Sequence, residues 1–293
     1  MKPMLAFKYK EKKAIYPCYA QPKLDGVRGL WIRDVMQSRG LPKVEGKFWH
    51  EGIVCHINNE IRTLQESLGV NMILDGEMYR HGMSLQQINS RIAVNRTSSH
   101  EEGHTIKYAI FDVVDPSPFE LRKQYLAAIS KRVRKLKLTN IFVVETMPII
   151  DHDEFELYHK LNRNRGFEGT MYREATASYG RLEECGNQEN RWYRLMKRKE
   201  RIDLDCVIIG VNEGRAGKTG MMLGKAGSLQ LMTPEGVEFT CSSGALVIGY
   251  RKLLWDMRDE IKGTKCRISF PLYSDAKLPL QATIDLIDDT RFT

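Results

Sequence analysis

The sequence predicts an α+β protein in two parts. In the larger part short strands alternate with helices, and the smaller, later part is built almost wholly of strands. Three observations carry this. A chain of 293 residues with 42% apolar content exceeds one ordinary small domain and can fill more than one core. Up to about Lys199, β-rich apolar runs alternate with stretches of helical period. Beyond that point the texture changes to short strands punctuated by glycine turns.

In the larger part, Val27–Ile32, Met72–Leu74, Tyr108–Val114 and Ile141–Ile150 read as strands. Asn58–Leu68 and Leu85–Ala93 read as short helices. Glu120–Leu136 reads as a long helix, with apolar residues at Leu121, Tyr125, Ile129, Val133 and Leu136. Its other face is crowded with Lys and Arg. Such a face is ordinarily just solvated, and contact with phosphate is the alternative. In the smaller part the expected strands are Asp205–Asn212, Ser228–Thr233, Val237–Cys241, Lys265–Tyr273 and Gln281–Asp288, with a helix over Ile248–Ile261. Five strands with a helix between the third and fourth is the layout of an OB-fold β-barrel. A boundary near Glu200–Asp203 follows, giving domains of residues 1–202 and 203–293.

Composition narrows the function classes. No run approaches the ~20 apolar residues of a membrane span, and Met1–Tyr16 is Lys-rich without an apolar core, so the expectation is a soluble protein with no membrane partner and no export signal. The six cysteines are widely spaced with no C-x-x-C pair, which argues against zinc and against a disulfide scaffold, and for a reducing, cytoplasmic setting. Residues 203–293 hold 11 Lys/Arg against 12 Asp/Glu, so the net charge of +8 arises in residues 1–202 and points to a polyanionic partner. Within the smaller part, Gly214–Pro234 still carries Arg215, Lys218 and Lys225 and no acid.

Four short clusters suggest chemistry. In Lys23–Leu24–Asp25–Gly26–Val27–Arg28 the lysine precedes an Asp–Gly turn with an arginine five residues on. To attack a phosphate, a lysine must shed its proton, which from a reference pKa of ~10.4 costs about 4.6 kcal/mol at pH 7. Neighbouring cations reduce that cost by destabilising the ammonium. The plain alternative is a surface lysine before an ordinary turn. Leu74–Asp75–Gly76–Glu77 and Phe167–Glu168–Gly169–Thr170–Met171 each place carboxylates at a strand end, where they can hold a ribose hydroxyl or Mg²⁺, or simply form a turn. In Leu195–Met196–Lys197–Arg198–Lys199, alternation along a strand would put Lys197 and Lys199 on one face, suited to a phosphate, although such a run is often merely solvated. Together the clusters supply a nucleophile, metal or ribose carboxylates, and cations for charge developing on an α-phosphate.

At these residues the sequence resembles the covalent nucleotidyltransferase superfamily, and most closely the ATP-dependent DNA ligases of compact viral and phage type. The motifs run in the family's order from Gln21 to Asp203. The resemblance implies a nucleotidyltransferase (adenylation) domain of antiparallel sheets flanked by helices, followed by a small OB-fold barrel. It implies that ATP adenylates a lysine, that AMP passes to the 5′-phosphate of a nick, and that the 3′-hydroxyl then displaces AMP. Position by position, Lys23 would be the nucleophile, and Gln21 would stand where the adenine amino group is met. Arg28 would contact ribose or the nick, and Arg39 in Ser38–Arg39–Gly40 would grip phosphate. Glu77 would serve ribose or metal, Phe111 would stack on adenine, and Glu168 would hold metal. Lys197 and Lys199 would bind the α-phosphate, and Asp203 would be the interdomain hinge. The implied cofactors are ATP and Mg²⁺, with Mn²⁺ as a substitute. The implied partner is nicked duplex DNA, bound by a monomer through Arg28, Arg39, Arg215, Lys218 and Lys225, in the host cytoplasm if the source is viral.

The sequence departs from the family in two places. An extra polar stretch, Leu182–Arg191, precedes the lysine strand and reads as a surface loop. The C-terminal R-x-D-K-type motif that engages pyrophosphate has no convincing counterpart, and Lys277 and Arg291 are the available replacements. RNA ligases and capping guanylyltransferases share the lysine chemistry, and nucleotide choice separates the latter. An NAD-dependent ligase would need a further domain before Lys23.

Overall fold

A computed structural model describes residues 3–39, 46–180, 191–216, 220–242, 249–274 and 277–292, without the side chains of Arg191, Trp192 and Leu272. The chain divides into two compact units, Met1–Lys199 and Glu200–Thr293. Gly40, Lys218, Ile248 and most of the Leu182–Arg191 stretch lie outside the described residues.

Unit 1 contains strands β1 (Leu5–Lys8), β2 (Cys18–Lys23), β3 (Val27–Ile32), β4 (Val35–Ser38), β5 (Leu74–Tyr79), β6 (Lys107–Val113), β7 (Ile141–Val143), β8 (Met147–Ile149), β9 (Gly169–Glu174) and β10 (Arg191–Lys199). Its helices are α1 (Glu51–Leu68), α2 (Leu85–Ile92), α3 (Phe119–Lys135) and α4 (His152–Asn164). The strands form two sheets, ordered β4-β3-β5-β6-β7 and β1-β10-β9-β2-β8. Pairing is antiparallel except for β6 with β7 and β1 with β10. The first sheet carries the larger core, in which Trp31, Leu74, Tyr108 and Ile110 meet Ile57, Ile61 and Leu64 of α1 and Leu126 and Ile129 of α3. The second sheet packs Ala20, Tyr172 and Met196 against Phe155 and Tyr158 of α4.

The strand expected over Met72–Leu74 instead runs Leu74–Tyr79, and three further elements of this unit differ from expectation. Helix α1 begins at Glu51 rather than Asn58, capped by the His50 imidazole, which accepts from Gly52 N at 3.3 Å. Val54, at φ −128°, interrupts its first turns and blurs the sequence period. The run Ile141–Ile150 breaks into β7 and β8, which belong to different sheets. Helix α4 is absent from the sequence-based expectation, because its buried face mixes Phe155 and Tyr158 with polar His159 and Asn162, while Leu157 and Leu161 face solvent. The polar pair tolerates burial by bonding Thr170 Oγ1, at 3.1 Å from His159 and 2.9 Å from Asn162. This ties α4 to the strand that follows Glu168.

Unit 2 contains β11 (Ile202–Arg215), β12 (Met222–Met232), β13 (Glu238–Cys241), β14 (Lys265–Phe270), β15 (Leu272–Tyr273), β16 (Pro279–Leu280) and β17 (Thr283–Ile287), with α5 (Arg251–Asp256) between β13 and β14. The five-stranded sheet runs β13-β12-β11-β14-β17, and no pairing closes β13 on β17 among the described residues. The two edges nevertheless approach, since the Cys241 thiol donates to Ala282 O at 3.3 Å. Leu229, Leu231, Ile268, Phe270 and Ile284 fill the core beneath α5.

Candidate active site

Strand β2 sets the site. Alternation turns Gln21 and Lys23 to the same side, into a cavity of about 180 Å³ between the two sheets of unit 1. The cavity is lined by Leu5 and Ala6 of β1, by Arg28, Glu77 and Phe111 of the first sheet, by Met171 and Arg173 of β9, and by Leu195 and Lys197 of β10; Arg39 also reaches it. Glu168 stands at the start of β9, its backbone N–H donating to Lys23 O at 3.0 Å. Its carboxylate bridges two cations, one oxygen paired with Lys23 Nζ and the other with Lys199 Nζ.

Glycines permit this closeness. A Cβ on Gly26 would overlap the carbonyl oxygen of Met78, forcing β3 away from β5. A Cβ on Gly169 would overlap the carbonyl oxygen of Arg198 and displace the strand that carries Lys199. Asp25 has a structural task as well, accepting from Leu85 N at the start of α2 at 3.2 Å.

The electrostatics follow from this packing. Burial disfavours the charge on Glu168, but Lys23 and Lys199 outweigh it and hold its carboxyl below the ordinary range. Burial and then the neighbouring Lys23 hold the Lys199 ammonium below the ordinary lysine range, with Glu168 pulling the other way. Glu77 faces the cavity with partial access to it. Burial there pushes its pKa up to about 7, with Lys23 and Arg28 opposing and Asp75 and Glu168 assisting. Glu77 and Glu168 offer the hard oxygens that Mg²⁺ prefers, and a cation would relieve the desolvated Glu77 carboxylate. Among the described residues no group of three or more His, Cys, Asp or Glu is arranged to hold a metal, so a Mg²⁺ ion here would rely on phosphate and water for the rest of its shell.

Sequence reasoning missed the support behind these residues. Arg28 is held by Asp75 through Nε at 2.8 Å and through Nη2, and Tyr179 donates to the same carboxylate at 2.6 Å. Asp112 lies between two arginines, at 2.8 Å from Arg122 and 2.6 Å from Arg173, all three at most 4% exposed. Arg173 Nε also donates to Gln21 Oε1 at 2.5 Å. The Gln21 amide in turn donates to Phe111 O at 3.0 Å and to Thr146 Oγ1 at 2.9 Å. Since an arginine can only donate and a backbone carbonyl can only accept, this network fixes which way the amide points. Both guanidiniums approach the Phe111 ring, Arg28 at 5.1 Å and Arg173 at 5.5 Å from its centroid. Asp112, a charged residue inside the apolar run Tyr108–Val113, was the one signal the sequence offered.

Gln21, Lys23, Arg28, Arg39, Glu77, Phe111 and Lys197 thus meet at one cavity, and Glu168 and Lys199 join through Lys23. The remaining residues lie in unit 2. Asp203 stands inside β11 opposite Ser269, exposed and three residues past the division between units. Arg215 and Lys225 flank the β11–β12 turn, the first exposed and the second half-buried. Arg291 is committed to Asp289 at 2.6 Å and Glu260 at 3.1 Å.

With this geometry in place, comparison with known proteins is informative. No family model matches the chain. A DNA ligase of African swine fever virus is 28% identical over 167 residues, a match spanning 56% of this chain and 37% of that protein. Among solved structures, a Lig E DNA ligase superposes with a TM-score of 0.72 at 19% identity, covering 98% of this chain and 99% of that one. The ATP-dependent DNA ligase of bacteriophage T7, solved with ATP, gives 0.51 at 13% identity over 98% of each chain. The fold of the chain is that of these solved structures.

Proposed function

We propose that the chain is an ATP-dependent DNA ligase that seals 3′-hydroxyl/5′-phosphate nicks through a lysine–AMP intermediate. The observation that carries this reading is the bridging of Lys23 and Lys199 by Glu168, beside a cavity that also holds Phe111, Glu77 and Lys197. Likeness to a viral DNA ligase supports it from the sequence side, although the chain spans only 37% of that relative's length.

Lys23 Nζ rests against the Glu168 carboxylate, and ATP enters with its adenine toward Phe111 and Gln21. Lys197 and Lys199 lie against the α-phosphate, where they spread the charge that builds in the transition state. Glu77 and Glu168 would hold Mg²⁺, which supplies positive charge to the phosphate oxygens. Lys23 Nζ, having passed one proton to solvent, bonds to the α-phosphorus and loses a second as the P–N bond forms; the bond to the bridging oxygen breaks and pyrophosphate leaves. The nick's 5′-phosphate then takes AMP from Lys23, regenerating the amine. Attack by the 3′-hydroxyl forms the phosphodiester and releases AMP. DNA would be gripped by Arg28 and Arg39, and by Arg215, Lys218 and Lys225 of the second unit, with Asp203 near the joint on which closure turns. Residues 1–202 and 203–293 would then be the adenylation and OB-fold domains of a monomeric enzyme. A cytoplasmic setting, that of the host if the source is viral, suits the free thiols of Cys18, Cys55, Cys206, Cys241 and Cys266.

The test is incubation with labelled ATP, GTP or NAD and Mg²⁺, in wild type and Lys23→Ala, followed by peptide mapping and nick sealing. Label from ATP alone, mapped to Lys23, with sealing of nicked DNA, is the expected result. Label from GTP, or none from any nucleotide, overturns the reading.

A further inference from the structure

We infer that the exposed lysines of the segment Lys8–Lys13, which leads from the β1 edge of the cavity to the Tyr193 ring on the α4 side of the sheet, form a docking track for the phosphates of the DNA strand flanking the nick. The inference rests on the ligase reading above. Lys8, Lys10, Lys12 and Lys13 are all exposed, and none forms an ion pair among the described residues. The one acid among them, Glu11, lies 3.8 Å from His152. Two nearby acids are already matched, Glu156 by Arg198 and Glu174 by Arg194, each at 3.1 Å. The segment therefore carries four lysines against the single carboxylate of Glu11, and no ion pair among the described residues takes up the lysine charge.

Two features make this more than a solvated basic run. First, the segment is continuous with the cavity. Lys8 pairs with Lys197 in the parallel β1–β10 ladder, Tyr9 N donates to Lys197 O at 2.9 Å, and Leu5 and Ala6 of the same strand line the cavity wall. A polyanion with one phosphate at Lys197 meets Lys8 on the adjacent strand, about 5 Å away in the pairing direction. Second, the outer lysines are held together. Lys10 and Lys13 approach the Tyr193 ring at 5.8 and 5.7 Å, and that ring is stacked on Phe7 at 4.3 Å. Cation–π attraction of this kind restricts long side chains that would otherwise lose entropy on binding. Because the contacts are to phosphate, the track positions the strand without reading its sequence.

The test uses the full chain with Lys8, Lys10, Lys12 and Lys13 replaced by Gln, by Arg in a second variant, and a control with Lys131, Arg134, Lys135 and Lys137 of the α3 region replaced by Gln. Both Gln variants lose the same net charge. The probe is a nicked duplex with a 5′-phosphate, titrated at several salt concentrations, with Lys23 adenylation by ATP measured alongside. The track variant is expected to bind at least tenfold more weakly, with the slope of log K against log salt shallower by about 2 to 3.6, ~0.9 for each of up to four lost phosphate contacts. Adenylation stays at the wild-type level, the Arg variant binds as wild type, and the control changes less than threefold. An equal loss in the control, or a fall in adenylation alongside binding, overturns the inference. Wild type that neither binds nicks nor takes label from ATP would instead refute the ligase reading on which it rests.

Discussion

Replacing Glu77 by Gln should make the protein more stable at pH 8 while abolishing its chemistry. Among the described residues no hydrogen bond reaches the Glu77 carboxylate, and burial lifts its pKa from 4.5 to about 7. The folded protein thus holds the Glu77 proton more tightly than the unfolded chain does. The stabilising contribution is complete below pH 4.5, declines as pH rises, and is gone once the pH passes about 7. The difference corresponds to about 3 kcal/mol, reduced to about 2 kcal/mol by the side chain's partial access to water. The substituted amide has no charge to desolvate, so Glu77→Gln and wild type should match near pH 4.5 and diverge to about 2 kcal/mol at pH 8. Urea unfolding of unit 1, read through Trp31, Trp49 and Trp192 in a Trp255→Phe background without nucleotide or divalent metal, measures this directly. Parallel stability profiles from pH 5 to pH 8, or a variant less stable at pH 8, would refute the reasoning. With labelled ATP and Mg²⁺ added to the same proteins, label on Lys23 should fall by at least a hundredfold in the variant.

Two further outcomes follow from packing. Asp112→Asn leaves Arg122 and Arg173 buried without their shared counter-charge, which should cost about 3–5 kcal/mol in urea unfolding; a loss under 1 kcal/mol would show that the pair is not electrostatically coupled. Gly169→Ala drives a methyl group against the Arg198 carbonyl, so Lys23 adenylation should drop sharply while the circular dichroism of the fold is retained; near-normal labelling would mean that β10 can shift without moving Lys199.

What the sequence revealed and what it hid divide along physical lines. Lys23, Glu77, Glu168, Lys197 and Lys199 were legible because each sits in a short local pattern that needs no knowledge of distant contacts. Arg173 and Tyr179 were not, because each acquires its role from a partner 61 and 104 residues away respectively. Phe111 was legible only through its place among the other motifs, since an aromatic in an apolar strand otherwise reads as core. Helix α4 escaped because bonds to Thr170 allow His159 and Asn162 to be buried, so polar residues occupy positions a periodicity reading reserves for apolar ones.

The cavity wall joins the first strand of unit 1 to its last, because Leu5 and Ala6 stand beside Leu195 and Lys197. On the ribosome, then, Lys23 emerges long before its surroundings exist. Such a distant closure is slow to form and cannot proceed on a partial chain. A polypeptide that stops before β10 carries Lys23 but lacks the Leu195 and Lys197 wall of the cavity. The cavity is therefore complete only once β10 has been synthesised.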